Sequence, residues 1–207
     1  MATNKAGKEI TSIWTPANIV TSVRIVFIPV FMVVAALSYD AENGAFAPGL
    51  TIAAFVLYTL LSLTDKLDGN LARSRGEITD FGKFLDPIAD KLLVFSALLI
   101  LLDQGFVNVW FVFIILFREF LVSALRMVAS ANGEVIAADK LGKWKTATTM
   151  LALCGFYLSF CFDATQMFPA FNFVFNLSQL MFLIAVVLTV VSGAQYFWNA
   201  RHVVFRV

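Results

Sequence analysis

The residues best equipped for chemistry are four aspartates. Asp65 and Asp68 are three apart and Asp86 and Asp90 four apart, all within residues 65–90, DKLDGNLARSRGEITDFGKFLDPIAD. On a helix both separations put side chains on one face, about 5–6 Å apart at Cβ. Two such helix ends brought together make a cluster of four carboxylates that needs counter-charge. Two divalent cations supply it, and an all-oxygen ligand set suits Mg²⁺ or Mn²⁺. Between the pairs lie Gly69, Gly76 and Gly82, which permit close backbone approach, and Arg73, Arg75 and Lys83, which suit phosphate. Divalent metal, glycines and arginines together point to phosphoryl chemistry on a membrane-bound substrate.

The elements that must position these groups are apolar. LTIAAFVLYTLLSL (50–63) leads into the first pair and LLVFSALLILL (92–102) leads away from the second. Neither run alone reaches the roughly 20 residues that cross a bilayer. Each reaches that length only by carrying its aspartates, as 50–69 and 84–102. Four carboxylates then sit at or inside the membrane boundary, where charge is costly and usually functional. A solvated acidic loop between two spans is the plainer alternative, and the shortness of the apolar runs speaks against it.

Composition agrees. Of 207 residues 60% are hydrophobic, and the mean hydropathy is +0.84. That excludes a water-soluble domain and predicts an all-α integral membrane protein. A net charge of +1 gives no reason to expect a nucleic-acid partner. Six spans are expected, near 17–38, 50–69, 84–102, 107–130, 142–162 and 175–198, around a polar cleft facing the cytoplasm. An interfacial segment (1–16, with Trp14) precedes the domain of 17–200, and a short tail (201–207) follows it. Pro16 suits a helix start, and Arg24 and Pro29 inside the first run distinguish it from a cleaved signal peptide. The loops 39–49, 103–106 and 163–174 hold no Lys or Arg, whereas both tails, 73–83 and 131–145 hold many. The positive-inside rule therefore puts both termini and the aspartates on the cytoplasmic side. Cys154 and Cys161 share one helix face and read as packing residues, and a single histidine, His202, excludes a His-rich zinc site.

Three further groups of polar residues interrupt the apolar sequence. Asn18, Thr21 and Arg24 recur every three residues in the first span. They are either helix-start polarity with a snorkelling arginine, or part of the polar cleft. In the fourth span, FREFLVSALR sets Glu119, Ser123 and Arg126 on one face, with Arg118 about 80° away. A Glu119–Arg126 pair would be structural, but two arginines and one glutamate leave positive charge over, which suits a phosphate dianion. The fifth span opens LGKWKTATT. Lys143 and Lys145 are either a cytoplasmic anchor beside Trp144, or one of them joins Arg118 and Arg126 around a phosphate.

The pattern Asp65-x2-Asp68-Gly69-x2-Ala72-Arg73-x8-Gly82-x3-Asp86-x3-Asp90 resembles the signature of the CDP-alcohol phosphatidyltransferases, with all eight fixed positions at that family's spacing. REF-x3-SALR followed by GK-x-KT resembles the bacterial phosphatidylglycerophosphate synthase branch. The resemblance covers most of 14–150 and says little of the last third.

The resemblance implies a CDP-diacylglycerol donor and two Mg²⁺ or Mn²⁺ ions. Asp65, Asp68 and Asp86 would be metal ligands, and Asp90 a ligand, the general base, or both. It implies that Gly69, Ala72, Arg73 and Gly82, with Asn18 and Thr21, line the donor site. Arg118, Arg126 and Lys143 would bind the phosphate of the acceptor, sn-glycerol 3-phosphate. A multi-pass place in the bacterial inner membrane and a homodimer also follow from it. Inositol phosphate or phosphatidylglycerol as acceptor is the rival within the family. An aspartate-relay transporter is the rival outside it, and it leaves the glycine and arginine spacing without a purpose.

Overall fold

The computed structural model describes residues 15–75, 80–131 and 140–204, without the side chains at 17, 65–75, 80, 83, 130–131, 140, 200 and 202–204. The expectations for Trp14 and the rest of 1–14, for the Gly76 turn, and for the side chains of Asp65, Asp68, Ala72, Arg73, Lys83 and His202 lie outside it. Among the described residues there are six helices: α1 (Pro16–Leu37), α2 (Pro48–Arg75), α3 (Asp80–Asp103), α4 (Val109–Ala131), α5 (Lys140–Ala164) and α6 (Phe168–Val204). The only strands among them, β1 (Tyr39–Asp40) and β2 (Ala45–Phe46), form a hairpin within the expected 39–49 loop.

The helix ends follow from local chemistry. Thr15 caps α1 by accepting from the Asn18 backbone N–H at 3.3 Å, and Pro16 takes a first-turn position whose missing N–H costs nothing. In the hairpin turn Asp40 accepts from the Glu42 and Asn43 backbones and from the Asn43 amide. Those bonds, the Asn43 side chain foremost, hold its carboxyl below the usual carboxylate range.

α3 ends where Asp103-Gln104-Gly105 predicts a tight turn. Gly105 has φ +78°, its N–H bonds to Leu102, and the Phe106 N–H bonds to Leu101, which together satisfy the last carbonyls. α5 ends the same way, with the Gln166 and Met167 N–H groups on Asp163 and Phe162, but Gln166 occupies the left-handed position at φ +59°. This turn corrects one sequence expectation. The loop placed at 163–174 is short, and α6 begins at Phe168 rather than near residue 175. Pro169 is tolerated in a first turn, and Phe171 and Phe175 after it pack against each other while Phe173 is exposed.

Three helical stretches are long and apolar enough to cross a membrane among the described residues: Asn18–Leu37, Leu141–Ala164 and Phe168–Asn199. Pro48–Thr64 is a shorter apolar helix that runs on into the aspartates. α3 and α4 are as long as spans but carry internal charge: Asp86, Asp90 and Lys91 in one, Arg118, Glu119 and Arg126 in the other. α1 leaves Val23, Val26, Val30, Val33 and Leu37 exposed, and α6 leaves Leu180, Leu183, Val187 and Val190 exposed. Such continuous apolar faces suit lipid rather than water.

The chain divides into two compact units. One holds the residues up to Ile100 together with Asp163–Gln166; the other holds Leu101–Phe162 and the residues from Met167 on. In the first, α1 packs on α2 through Phe31 and Tyr58, with ring centroids 5.7 Å apart. The second is built on aromatic contacts between α5 and its neighbours. Phe156 lies 5.5 Å from Phe175 and 6.1 Å from Phe182, and Phe106 lies 4.6 Å from Phe160.

Candidate active site

In the first unit the backbones of Asp65, Asp68, Gly69, Ala72 and Arg73 lie in the last three turns of α2, and Gly82, Asp86 and Asp90 lie on α3. Both aspartate pairs are therefore helical, as their spacing predicts. Gly82 is buried, Asp86 exposed and Asp90 intermediate.

The polar stripe of α1 is tied to these helices. Asn18, Thr21 and Arg24 are all buried. The Thr21 hydroxyl donates to Asp86 Oδ1 at 3.0 Å, and Arg24 Nε donates to Thr64 Oγ1 at 3.3 Å, one residue before Asp65. Thr64 in turn donates to the Leu61 carbonyl at 2.8 Å, so its hydroxyl is fixed in direction. Arg24 is only 1% exposed, so its charge does not reach toward water along the helix. The snorkelling alternative fails for it. A buried guanidinium beside the start of an acidic run supplies charge balance instead.

The donor types on α2 and α3 suit a divalent cation, and among the described residues no three of them come together. Asp86 and Asp90 project from successive turns of α3, and Asp65 and Asp68 belong to one turn of α2. Hard carboxylate oxygens are the donors such ions take. One oxygen of exposed Asp86 is oriented by Thr21, and its other oxygen accepts no hydrogen bond among the described residues.

The second unit holds a cluster of charge. On α4, Arg118 Nη1 donates to Glu119 Oε1 at 3.2 Å; from α5, the Lys145 ammonium donates to the same Oε1. Arg118 Nη2 reaches Ser192 Oγ on α6 at 3.2 Å, and its Nε is buried without a partner among the described residues. Arg126, one face further along α4, donates from Nε to the Tyr196 hydroxyl at 3.2 Å, and its Cζ lies 5.6 Å from the Tyr196 ring centroid. Lys143 and Arg126 are exposed, whereas Lys145 is buried. The charge count is uneven. Arg118 and Lys145 both pair with Glu119, and Arg126 and Lys143 pair with no carboxylate among the described residues. Uncompensated guanidinium groups of this kind suit a phosphate.

Glu119 thus pairs with Arg118 and Lys145, not with Arg126 as the shared face suggested. Ser192 and Tyr196 escaped the sequence reading, and Lys145 was offered there only beside Lys143, which the resemblance favours. Lys145 was legible in principle, because it shares the buried phase of α5 with Thr149, Ala152 and Phe156, while Lys143 and Trp144 fall on the exposed side. Ser192 and Tyr196 lie in sequence with no polar pattern to single them out.

Comparison with known proteins identifies the family. The family model described as CDP-alcohol phosphatidyltransferase matches residues 14–198. A CDP-diacylglycerol–glycerol-3-phosphate 3-phosphatidyltransferase of Bacillus subtilis is 40% identical over 190 residues, covering 88% of this chain and 95% of its own. A probable phosphatidylglycerophosphate synthase of Mycobacterium tuberculosis is 36% identical over 87% of this chain and 78% of its own. A Pseudomonas fluorescens protein with the same name as the Bacillus one is 36% identical over 86% of each chain. The chain belongs to the CDP-alcohol phosphatidyltransferase family, and it is a membrane-embedded transferase of phospholipid synthesis.

Proposed function

We propose that this chain transfers the phosphatidyl group of CDP-diacylglycerol to sn-glycerol 3-phosphate, giving phosphatidylglycerophosphate and CMP. The family supports the donor, and the names of the relatives support the acceptor. One observation on this chain carries the acceptor assignment: Arg126 stands exposed on α4 and pairs with no carboxylate among the described residues, which leaves positive charge in excess. An alcohol bearing its own phosphate dianion fits that excess, and a neutral alcohol such as serine does not.

Asp65, Asp68, Asp86 and Asp90 would hold two divalent ions, Mg²⁺ or Mn²⁺. When bound, such ions polarise phosphoryl oxygens and neutralise the charge that develops on them. Thr21 orients Asp86 by its hydrogen bond. Gly69, Ala72, Arg73 and Gly82, with Asn18 and Thr21, bind the cytidine diphosphate end of the donor. Gly69 and Ala72 give a helix surface low enough for a nucleotide to lie on, and Arg73 adds positive charge. Arg118, Arg126 and Lys143 hold the acceptor phosphate, with Lys145 fixed behind them by Glu119.

Asp90 accepts the proton of the acceptor hydroxyl. The hydroxyl oxygen bonds to the β-phosphorus of the donor, the bond from that phosphorus to the CMP oxygen breaks, and CMP leaves with the electron pair. The chain crosses the inner membrane six times, as a homodimer. Its termini and aspartates face the cytoplasm, from which nucleotide and acceptor come.

The test is CMP release by purified protein in detergent, with CDP-diacylglycerol, a divalent metal and one acceptor at a time. Glycerol 3-phosphate should support turnover that chelator abolishes. Release only with inositol phosphate or phosphatidylglycerol would reassign the acceptor, and no release from folded protein with any of them would reject the reading.

A further inference from the structure

Both arginines assigned to the acceptor phosphate are held from α6, by a segment of largely apolar sequence. Ser192 is fully buried and donates its hydroxyl proton to the Thr189 carbonyl at 3.3 Å. Its remaining lone pair therefore faces Arg118 Nη2, from which it accepts at 3.2 Å. At Gly193 an added Cβ would come within 3.0 Å of Arg118 Cγ, so the arginine stem lies directly over this glycine. Four residues after Ser192, Tyr196 is buried among Val122, Leu125 and Leu121 of α4, with its hydroxyl accepting from Arg126 Nε. Ser192, Gly193 and Tyr196 share one helix face, the one α6 turns toward α4.

The two arginines are held differently. Arg118 spends both Nη atoms on protein, one on Glu119 and one on Ser192. Arg126 spends only Nε, on Tyr196, and its two Nη groups meet no hydrogen-bond partner among the described residues although the side chain is exposed. A guanidinium fixed through Nε presents its Nη pair as a rigid fork, the geometry that grips two oxygens of a phosphate at once. A lysine or an untethered arginine would attract the same charge without that direction.

We propose that the Ser192–Gly193–Tyr196 face of α6 is the positioning element for the acceptor phosphate: Tyr196 aims the Arg126 fork, while Ser192 and Gly193 fix Arg118 behind it. This deepens the acceptor assignment above and rests on it. The three residues act through the arginines and do not touch the substrate. Their contribution falls on acceptor affinity and leaves the chemical step and donor binding alone.

The experiment is steady-state kinetics on the full-length enzyme in detergent, varying each substrate in turn. Tyr196→Phe keeps the buried ring and removes only the hydroxyl, so the fold is retained. It should raise the acceptor KM about tenfold, the loss expected for one hydrogen bond to a charged group, with kcat and the donor KM unchanged. Gly193→Ala displaces the Arg118 stem and should raise the same KM. Ser192→Ala provides a second hydroxyl deletion, and Arg126→Ala the upper limit of the effect.

Inorganic phosphate should compete with acceptor in the wild type and compete less well in each variant. An unchanged acceptor KM in Tyr196→Phe beside a raised one in Arg126→Ala would overturn the proposal and leave the acceptor assignment standing. A fall in kcat and melting temperature together with a rise in both KM values would overturn it as well, because the residues would then only pack. If the wild type does not use glycerol 3-phosphate at all, the acceptor reading fails first and this proposal falls with it.

Discussion

Four aspartates stand at the edges of apolar runs, and the cations of α4 and α5 stand among apolar neighbours. The aspartates announce themselves because charge at the edge of an apolar run is expensive, and helical spacing then fixes which of them share a face. The cations do not. Lys143 and Lys145 are two apart, and sequence alone offers either; the helical phase of α5 buries Lys145 and exposes Lys143. Which cation Glu119 takes depends on α5 bringing Lys145 to it, a tertiary fact that spacing along α4 cannot supply.

The family resemblance implies a chemical role for Asp90, as general base, metal ligand or both. Asp90→Asn keeps the size of the side chain and removes its basicity. In the proposed mechanism it should lower kcat about 10²–10⁴-fold, the usual contribution of a positioned base. Binding of CDP-diacylglycerol, followed by equilibrium titration, should change far less. Equal losses in turnover and donor affinity would mean that Asp90 serves only to hold metal.

Helix termini were predictable where glycine or proline marks them. Gly105 identified the end of α3, and Pro16 the start of α1. Gln166 gave no such sign, because a left-handed residue that is not glycine or asparagine is rare. The start of α6 was therefore read several residues late, through a segment whose Pro169, Asn172 and Asn176 look like loop.

The same observation yields a prediction. The left-handed conformation costs an ordinary residue roughly 1–2 kcal/mol, part of which glycine returns through its greater freedom when unfolded. Gln166→Gly should thus stabilise the protein by about 0.5–1 kcal/mol and raise its melting temperature in detergent, with activity unchanged. A lower melting temperature would show that the Gln166 side chain contributes more than its backbone costs.

At the scale of the whole molecule, composition was enough for an all-α membrane protein and could not fix the number of crossings. α6 shows why. Its 37 residues extend about 55 Å, well beyond a hydrocarbon core of about 30 Å, so helix ends and membrane edges are separate questions. α3 and α4 show it from the other side, since function puts into them the charges that hydropathy counts against a span.

The proposed six crossings can be tested by labelling in intact cells with a membrane-impermeant thiol reagent, after Cys154→Ala and Cys161→Ala. Cysteine placed at Asn43, in the hairpin turn, should react from outside. Cysteine placed at His202 should react only once the membrane is opened. Labelling of both positions from outside would refute an even number of crossings.

The most direct test of the central claim follows the acceptor into the product. Purified protein receives CDP-diacylglycerol, divalent metal and glycerol 3-phosphate carrying one label in its carbon and another in its phosphorus. Phosphatidyl transfer predicts that both labels enter the lipid phase in their starting ratio, with one CMP released for each glycerol incorporated. CMP release without lipid label would indicate hydrolysis of the donor, and carbon label arriving without phosphorus would show an acceptor lacking the phosphate that Arg118 and Arg126 are proposed to hold.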